Sequence, residues 1–413
     1  MPRPAAEVRV QDTAQTAEPA GSRGFARLVA GHTLVHASMS GMRLAAPLLA
    51  LHLGLGTVYV GVLLALYSLT QVVIALPVGR YVERHGMRRP LGWAALVAGS
   101  AALCCAAFPR FEVLCGAALC MGGATGLCMI ALQRYVGRAA RDGAELRRMF
   151  SWLSLGPAAS NMLGPVLAGL CIDHVAGWDA APVDLLGFRA AFGVLALLPL
   201  LSWLLVRSAA SASRVPPPAP LTGSNAAASP WDLLRAPRMR SLLLVNWLLS
   251  SCWDVHTFVV PVLGHERHLS ASVIGGILGG FAVAAALVRL LIPLLAAQAR
   301  EWHVTTAAML STALLFATYP LMDGAWGMAL CSVLLGFALG SVQPMIMSTL
   351  HHITPDGQRS QALALRLMAI NCSSVVMPLL FGSVGAVLGV SALFWTVGSA
   401  VGLGSRAAWR LRI

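Results

Sequence analysis

The residues of this sequence best suited to chemistry are charged side chains inside long apolar runs. Asp254 and His256 lie midway along one run, and Arg289 lies in the next. A carboxyl group buried away from water loses the hydration that favours its charged form, so it can exchange a proton near neutral pH. We therefore predict Asp254 as a proton carrier, with His256 as a second candidate and Arg289 as the cation partner. Alternatively, Asp254 pairs permanently with an arginine and is structural; His256, two residues on, should face another direction on a helix.

Other polar side chains at similar depth could line a water-filled cavity. His32 and His36 are four residues apart and share one helix face, but no third ligand is evident, so we predict no metal site. Arg366 lies near the start of its run, where we expect it to snorkel to the membrane interface. The predicted cavity residues are His32, His36, Arg43, Gln71, Asn161, Asn246, Trp253, Gln343 and Asn371.

These groups must be positioned by membrane-spanning helices. Of the 413 residues, 57% are hydrophobic and only 11% are charged, whereas a soluble domain has about a quarter of its residues charged. Twelve apolar runs are each long enough for the roughly 20 residues that a spanning helix needs. The net charge of +13 comes entirely from arginine, but the arginines lie between apolar runs rather than on one soluble face, so we predict no nucleic-acid binding.

The apolar runs fall into two groups of six. We predict a disordered tail (1–24), a first bundle (25–206), a proline-rich linker (207–240), a second bundle (241–406) and a short tail (407–413). Nearly all arginines fall in the tails, the linker and alternate loops, and the other side has only Arg110, Arg189 and Arg267. The positive-inside rule therefore predicts that both termini are cytoplasmic.

The two groups also repeat each other under a shift of 213–214 residues. The corresponding positions are Pro47 and Pro261, Gly61 and Gly275, Gly122 and Gly336, Gly126 and Gly340, Pro165 and Pro378, and Gly169 and Gly382. Two parallel six-helix halves, related by an axis along the membrane normal, are typical of transporters that open a central site alternately to each side. The sequence thus predicts an all-α integral membrane protein with twelve transmembrane helices in two pseudo-symmetric bundles.

A family resemblance appears in the loop after the second run, which carries Gly79, Glu83, Arg84, Gly86 and Arg88. These positions resemble the major facilitator superfamily signature G-x-L-x-D-R-x-G-R-R, with glutamate in place of aspartate. The resemblance implies that the acid and the arginines form a cytoplasmic charge cluster that locks the two halves in one conformation. Simple retention of positive charge on the cytoplasmic side is the alternative explanation.

A second resemblance lies in the fifth run, at Gly164, Pro165 and Gly169. This spacing resembles the antiporter signature of the same superfamily, G-x-x-x-G-P-x-x-G-G. Its expected role is a smooth helix face on which the other half can close. Ordinary packing is the alternative, because Pro378 and Gly382 repeat the pattern.

The resemblance implies a secondary active transporter of the bacterial inner membrane, which we expect to be a monomer without a cofactor. We predict proton-coupled efflux, or antiport, of a small organic molecule. The alternative is a proton symporter that takes up an organic anion or sugar acid, because Arg43 and Arg289 suit a carboxylate. A membrane-embedded enzyme or sensor is a remote alternative, since the polar residues are spread singly over many runs. The expected partners are therefore the substrate, protons and the lipid bilayer.

Overall fold

The computed structural model describes residues 22–85, 87–139, 143–175, 185–208, 233–295, 300–355 and 358–412. Most of the predicted tail (1–24) and of the predicted linker (207–240) lies outside these residues. The described residues contain no strand and form a 3₁₀ turn (Tyr319–Leu321) and twelve helices. The helices are α1 (Ser22–His52), α2 (Thr57–His85), α3 (Arg88–Ala107), α4 (Phe111–Ala139), α5 (Gly143–Val175), α6 (Leu186–Ser208), α7 (Pro237–Glu266), α8 (Ala271–Leu295), α9 (Glu301–Thr318), α10 (Ala325–Ile353), α11 (Arg359–Leu388) and α12 (Val390–Trp409).

Length and composition explain why the apolar runs are helical. Eleven of the described helices are long and apolar enough to cross a membrane, and α12, which carries Arg406, is not among them. Within lipid a backbone has no water to bind, so its polar groups must be satisfied by the helix itself. The helix α7 begins inside the predicted linker because Pro237 occupies its first turn, where a missing N–H costs nothing.

The predicted internal repeat is confirmed by helix packing. The pairs α1 and α5, α2 and α4, α3 and α6, and α1 and α6 recur as α7 and α11, α8 and α10, α9 and α12, and α7 and α12. Individual glycines repeat their contacts as well. A Cβ atom on Gly122 would meet the carbonyl oxygen of Tyr67, and one on Gly336 would meet that of Phe281. Each pair is displaced by 214 residues, so the two bundles are built on the same helix approaches.

The two bundles meet closely at one end of the helices. We call the side where α1 begins and α12 ends the terminus side, and the opposite side, where α1 ends and α2 begins, the far side. On the far side, a Cβ atom on Gly61 of α2 would meet the carbonyl oxygen of Pro378 in α11. In the equivalent place, a Cβ atom on Gly275 of α8 would meet that of Pro165 in α5. Only glycine permits these approaches, which close the far side.

Polar bonds reinforce this closure. The Asp173 carboxylate, near the end of α5, accepts hydrogen bonds from the backbone N–H groups of Ala271 (3.0 Å) and Ser272 (2.7 Å) and from the Ser272 hydroxyl. These groups are the N-terminus of α8, which carries a partial positive charge. At the other contact, the Thr57 hydroxyl donates to the Gly382 carbonyl oxygen (3.0 Å). The bundles are thus joined on the far side across both α5–α8 and α2–α11.

Candidate functional site

A central cavity of about 290 Å³ lies between the bundles, on the terminus side of the far-side contacts. Such a volume suits a small organic molecule. The helices α7, α8, α10 and α11 form most of its wall, and α5 contributes the rest with Pro157, Ala158 and Asn161. The predicted site residues that line it are Asn161, Asn246, Trp253, Asp254, Arg289 and Gln343.

A second cavity of about 120 Å³ lies beside it, towards the far side. The predicted residues His36 and Arg43 line this cavity together with Ser40. Trp253 and Asn161 line both cavities, so they form a shared wall between the two. The Trp253 ring is held edge-on against a phenylalanine of α8, with 4.5 Å between ring centres. The Trp253 side chain between the two cavities is therefore held in place by packing.

Asp254 is the acid that lines the central cavity. The residue is 6% exposed, and its carboxylate accepts hydrogen bonds from the hydroxyls of Ser373 (3.2 Å) and Ser374 (3.4 Å) in α11. The carboxylate of α7 is thus held at the contact with α11 by neutral hydroxyl donors. The hydrogen-bond donors to this carboxylate within the described residues are therefore hydroxyls rather than charged groups.

The predicted pairing of Asp254 with Arg289 is wrong. Among the described residues, no ion pair joins them; Asp254 is instead attracted electrostatically to Arg43, which comes from α1 in the opposite bundle. Arg289 donates its Nε–H to the Gly340 carbonyl oxygen (3.4 Å), and its guanidinium lies 5.9 Å from the centre of the Trp253 ring. The physical reason is that α1 and α7 face each other across the central axis, whereas Arg289 is drawn towards α10.

The expectation that Arg366 snorkels to the interface is also wrong. Arg366 is 5% exposed and donates from Nε to Oδ1 of Asn246 (3.1 Å) and from Nη2 to Oε1 of Gln343 (2.8 Å). It therefore lies behind two cavity residues, on α7 and α10, and links them to α11. The buried position of Arg366 was missed because its place along α11 does not reveal which distant helices supply its partners.

Several predicted site residues lie outside both cavities. His256 is buried in the second bundle, where Nε2 bonds to the Ser332 hydroxyl (2.9 Å) and the ring stacks on Phe281. His32 is fully buried, 5.8 Å from the ring of His36. Gln71 contacts the sulfur of Met39, and Asn371 lies on an exposed face of α11. These placements depend on how each helix is rotated about its axis, which the sequence alone does not give.

The two sequence signatures fall on different kinds of structure. Gly79, Glu83 and Arg84 lie in the last turns of α2 and Arg88 begins α3, but Gly86 and the side chains of Glu83, Arg84 and Arg88 lie outside the described residues. The predicted charge cluster there stays a prediction.

The Gly-Pro segment of α5 lies in two helix contacts. A Cβ atom on Gly164 would meet the backbone of α1 at Ala37, and one on Gly169 would meet the start of α8 at Ala271. Pro165 supplies the carbonyl oxygen that approaches α8. This segment therefore serves packing within the first bundle and closure against the second. Over the described ranges, no group of three or more His, Cys, Asp or Glu residues could hold a metal ion.

A pseudo-symmetric double bundle around a central cavity is the architecture typical of secondary membrane transporters. The model of the Major Facilitator Superfamily matches residues 28–325 and 242–412. The chain therefore belongs to the Major Facilitator Superfamily, and it moves small substrates across a membrane by alternating access. This family consists of transporters rather than enzymes, in agreement with the prediction that the chain is not an enzyme. A comparison with curated protein sequences gave no match.

Solved structures with a similar fold are also transporters. A bacterial homolog of the human lysosomal transporter Spinster, in an inward-facing and unoccupied conformation, is 12% identical with a TM-score of 0.75, over 96% of this chain and 99% of that one. The nucleoside transporter NupG is 12% identical with a TM-score of 0.69, over 94% of this chain and 100% of that one. The human organic anion transporter MFSD10 is 16% identical with a TM-score of 0.62, over 94% of this chain and 99% of that one. At these identities the likeness concerns the fold.

Proposed function

We propose that this protein is a proton-coupled secondary transporter in which Asp254 is the protonation site. The observation that carries the proposal is a carboxyl group 6% exposed, at the wall of the central cavity, with serine hydroxyls as its hydrogen-bond partners. Ionisable groups at membrane depth are costly unless they have a function. A proton carrier must be stable in two charge states, and Asp254 has the surroundings for both.

A chain of hydroxyls supports each charge state. Ser251 donates to the carbonyl oxygen of Trp247 (2.9 Å) and lies 3.1 Å from the Ser373 hydroxyl. When Asp254 is ionised, Ser373 donates to its carboxylate. When Asp254 is protonated, it can donate to Ser373, which turns its own hydrogen towards Ser251. Every group in the chain keeps a partner in both states, so neither state leaves a buried polar atom unsatisfied.

Protonation also changes the attraction between the bundles. Ionised Asp254 on α7 attracts Arg43 on α1, and neutral Asp254 does not. Because these helices belong to opposite halves, the proton alters the free energy of one arrangement of the bundles relative to another. This is the property that coupling of a proton to alternating access requires.

The charge of the substrate decides whether proton and substrate move in opposite directions (antiport) or in the same direction (symport). A cationic substrate competes with the proton for the Asp254 region and favours antiport, the predicted efflux mode. An anionic substrate binds better when Asp254 is neutral and favours symport, the second candidate. The Gly-Pro segment of α5 does not distinguish them, since its contacts serve closure in either mode. Arg289 at the cavity wall and Arg43 beside it favour the second candidate, uptake of an organic anion or sugar acid.

The membrane orientation of the proposal follows from the arginine distribution. With both termini in the cytoplasm of a bacterial inner membrane, the central cavity lies on the cytoplasmic side of the far-side contacts. We further propose that a monomer suffices, because one chain supplies both bundles and the cavity between them.

The proposal is tested by lumenal pH in proteoliposomes loaded with pyranine. A concentration step of an external compound drives its uptake: symport acidifies the lumen, and antiport makes it alkaline. Gluconate and ethidium serve as the first anionic and cationic probes, with a wider panel after them, and protein-free liposomes control for passive permeation. Asp254→Asn should abolish the pH response to any compound that moves protons in the wild type. A full response in Asp254→Asn would remove Asp254 from the proposed role.

A further inference from the structure

We propose that Arg366 is a positioning residue that turns the amide N–H groups of Asn246 and Gln343 towards the central cavity, where with Arg289 they form a binding site for the carboxylate of an organic anion. This assignment rests on the proposed function, since it names the substrate class of the same cavity. Arg366 itself is absent from the cavity wall. Its effect is exerted through the two amides.

Hydrogen-bond chemistry fixes the orientation of both amides. A guanidinium group has five N–H donors and no acceptor, so the atoms that face Arg366 must be the amide oxygens. The Nε–Oδ1 distance to Asn246 is 3.1 Å and the Nη2–Oε1 distance to Gln343 is 2.8 Å. The amide nitrogen of each residue therefore points away from Arg366, and both residues line the cavity. Without a donor-only group behind them, either amide could turn over and offer an acceptor instead.

The Asn246 nitrogen has no partner in the protein. Asn246 is 3% exposed and lines the cavity, and its Nδ2 atom is buried without a hydrogen bond. A buried donor left unsatisfied costs about 1–3 kcal/mol. Gln343, at the same wall, is exposed, and its amide nitrogen makes no hydrogen bond within the described residues. A ligand that brings acceptor oxygens into the cavity satisfies both donors.

Arg289 adds a charged donor to the same wall. Its Nε–H is directed to the Gly340 carbonyl oxygen and its position is limited by the Trp253 ring. The two terminal nitrogens of its guanidinium have no partner among the described residues. A guanidinium fork binds a carboxylate through two parallel hydrogen bonds. Asn246, Arg289 and Gln343 thus offer hydrogen-bond donors, and no free acceptor, at the wall of the central cavity.

Charge balance points to the same ligand. No described carboxylate lies within ion-pair distance of Arg366 or Arg289, and a buried cation without a counter-ion is unfavourable. Asp254 is the acid among the cavity-lining residues, so the region is positive overall when Asp254 is protonated. An anion then supplies the missing negative charge. Proton and anion favour each other's binding, which makes their coupling a co-transport.

The binding test uses the full-length protein in detergent, where no proton gradient exists. Thermal unfolding is followed with gluconate, benzoate and a panel of carboxylates of about 6–14 heavy atoms, each beside its neutral primary amide. We expect saturable stabilisation by at least one acid and at least tenfold weaker binding of its amide, a difference of 1.4 kcal/mol. Equal binding of the acid and the amide, or no stabilisation by any acid, overturns the assignment.

Two variants test the role of Arg366. Gln343→Glu gives Arg366 a counter-ion, so it should fold, but it should weaken binding of the acid at least tenfold because a donor becomes an anion. Gln133→Glu makes the same charge change on an exposed face of α4 and should bind as the wild type does. Arg366→Lys has one donor nitrogen in place of the separate Nε and Nη2 donors, so it should not hold both amides in position. The ratio of acid affinity to amide affinity should then fall towards one. A structural role alone would lower the unfolding temperature and leave that ratio unchanged, and this result, or wild-type binding in Gln343→Glu, contradicts the proposal.

Failure of this assignment and failure of proton coupling give different results. Asp254→Asn should bind the acid at least as tightly as the wild type, although it moves no protons. Acid binding without any lumenal pH response in the wild type refutes the coupling and leaves the anion site intact. Proton movement driven only by cationic compounds, with no acid bound, refutes the anion site and leaves the coupling intact.

Discussion

Removal of the Asp173 carboxylate should open the far side. The carboxylate bonds to Ala271, and twice to Ser272, only when α5 and α8 are together. Loss of a side-chain cap costs about 0.5–2 kcal/mol, and loss of a negative charge at a helix N-terminus about 0.3–1 kcal/mol. Asp173→Ala should therefore disfavour the closed far side by about 1–3 kcal/mol, a shift of about 5–150-fold in the equilibrium.

Spin-label distances measure that shift directly. Labels at Val175 on α5 and Val387 on α11, both exposed on the far side, report the separation of the bundles after replacement of the native cysteines. Asp173→Ala should enlarge the longer-distance population, and Asp173→Asn should do so less because it keeps an acceptor oxygen. Asp323→Ala removes another far-side acid that makes no bond to α8 and is the matched control. An unchanged distance distribution in Asp173→Ala, or an equal change in Asp323→Ala, refutes the reasoning.

Three further predictions concern the bundle contacts and the proton site. Gly275→Val should enlarge the same longer-distance population, because its Cβ meets Pro165, whereas Gly276→Val, whose Cβ meets open space, should not. His256→Phe should lose about 1 kcal/mol of stability with its buried hydrogen bond in a denaturation assay, while the lumenal pH response persists. Ser373→Ala removes the hydroxyl that partners Asp254 in both charge states, so the rate of the lumenal pH response should fall about fivefold, the equivalent of one hydrogen bond; an unchanged rate would contradict the assignment.

The fold was largely predictable from the sequence because its signals are local. Apolar run length predicts the helices, and glycine spacing predicts which helices approach closely, as Gly122 and Gly336 confirm against Tyr67 and Phe281. Asp254 was identifiable as an acid in the middle of an apolar run. These properties depend on each segment by itself.

The partners in the cavity were not predictable because they depend on how distant helices rotate. Neighbouring spans suggested Arg289 as the partner of Asp254, yet the opposing helix α1 brings Arg43 there instead. Arg366 was expected at the interface from its place in the chain, but two amides 120 and 23 residues away hold it in the interior. A single sequence carries no signal for contacts of this kind.

The unequal strength of the two far-side contacts has a consequence for how the molecule separates. Asp173 holds α5 to α8 with three bonds, whereas Thr57 holds α2 to α11 with one. We therefore expect the α2–α11 contact to separate first, with the α5–α8 contact acting as the hinge. The first opening should then lie between α2 and α11, and a molecule arriving from the far side should enter there.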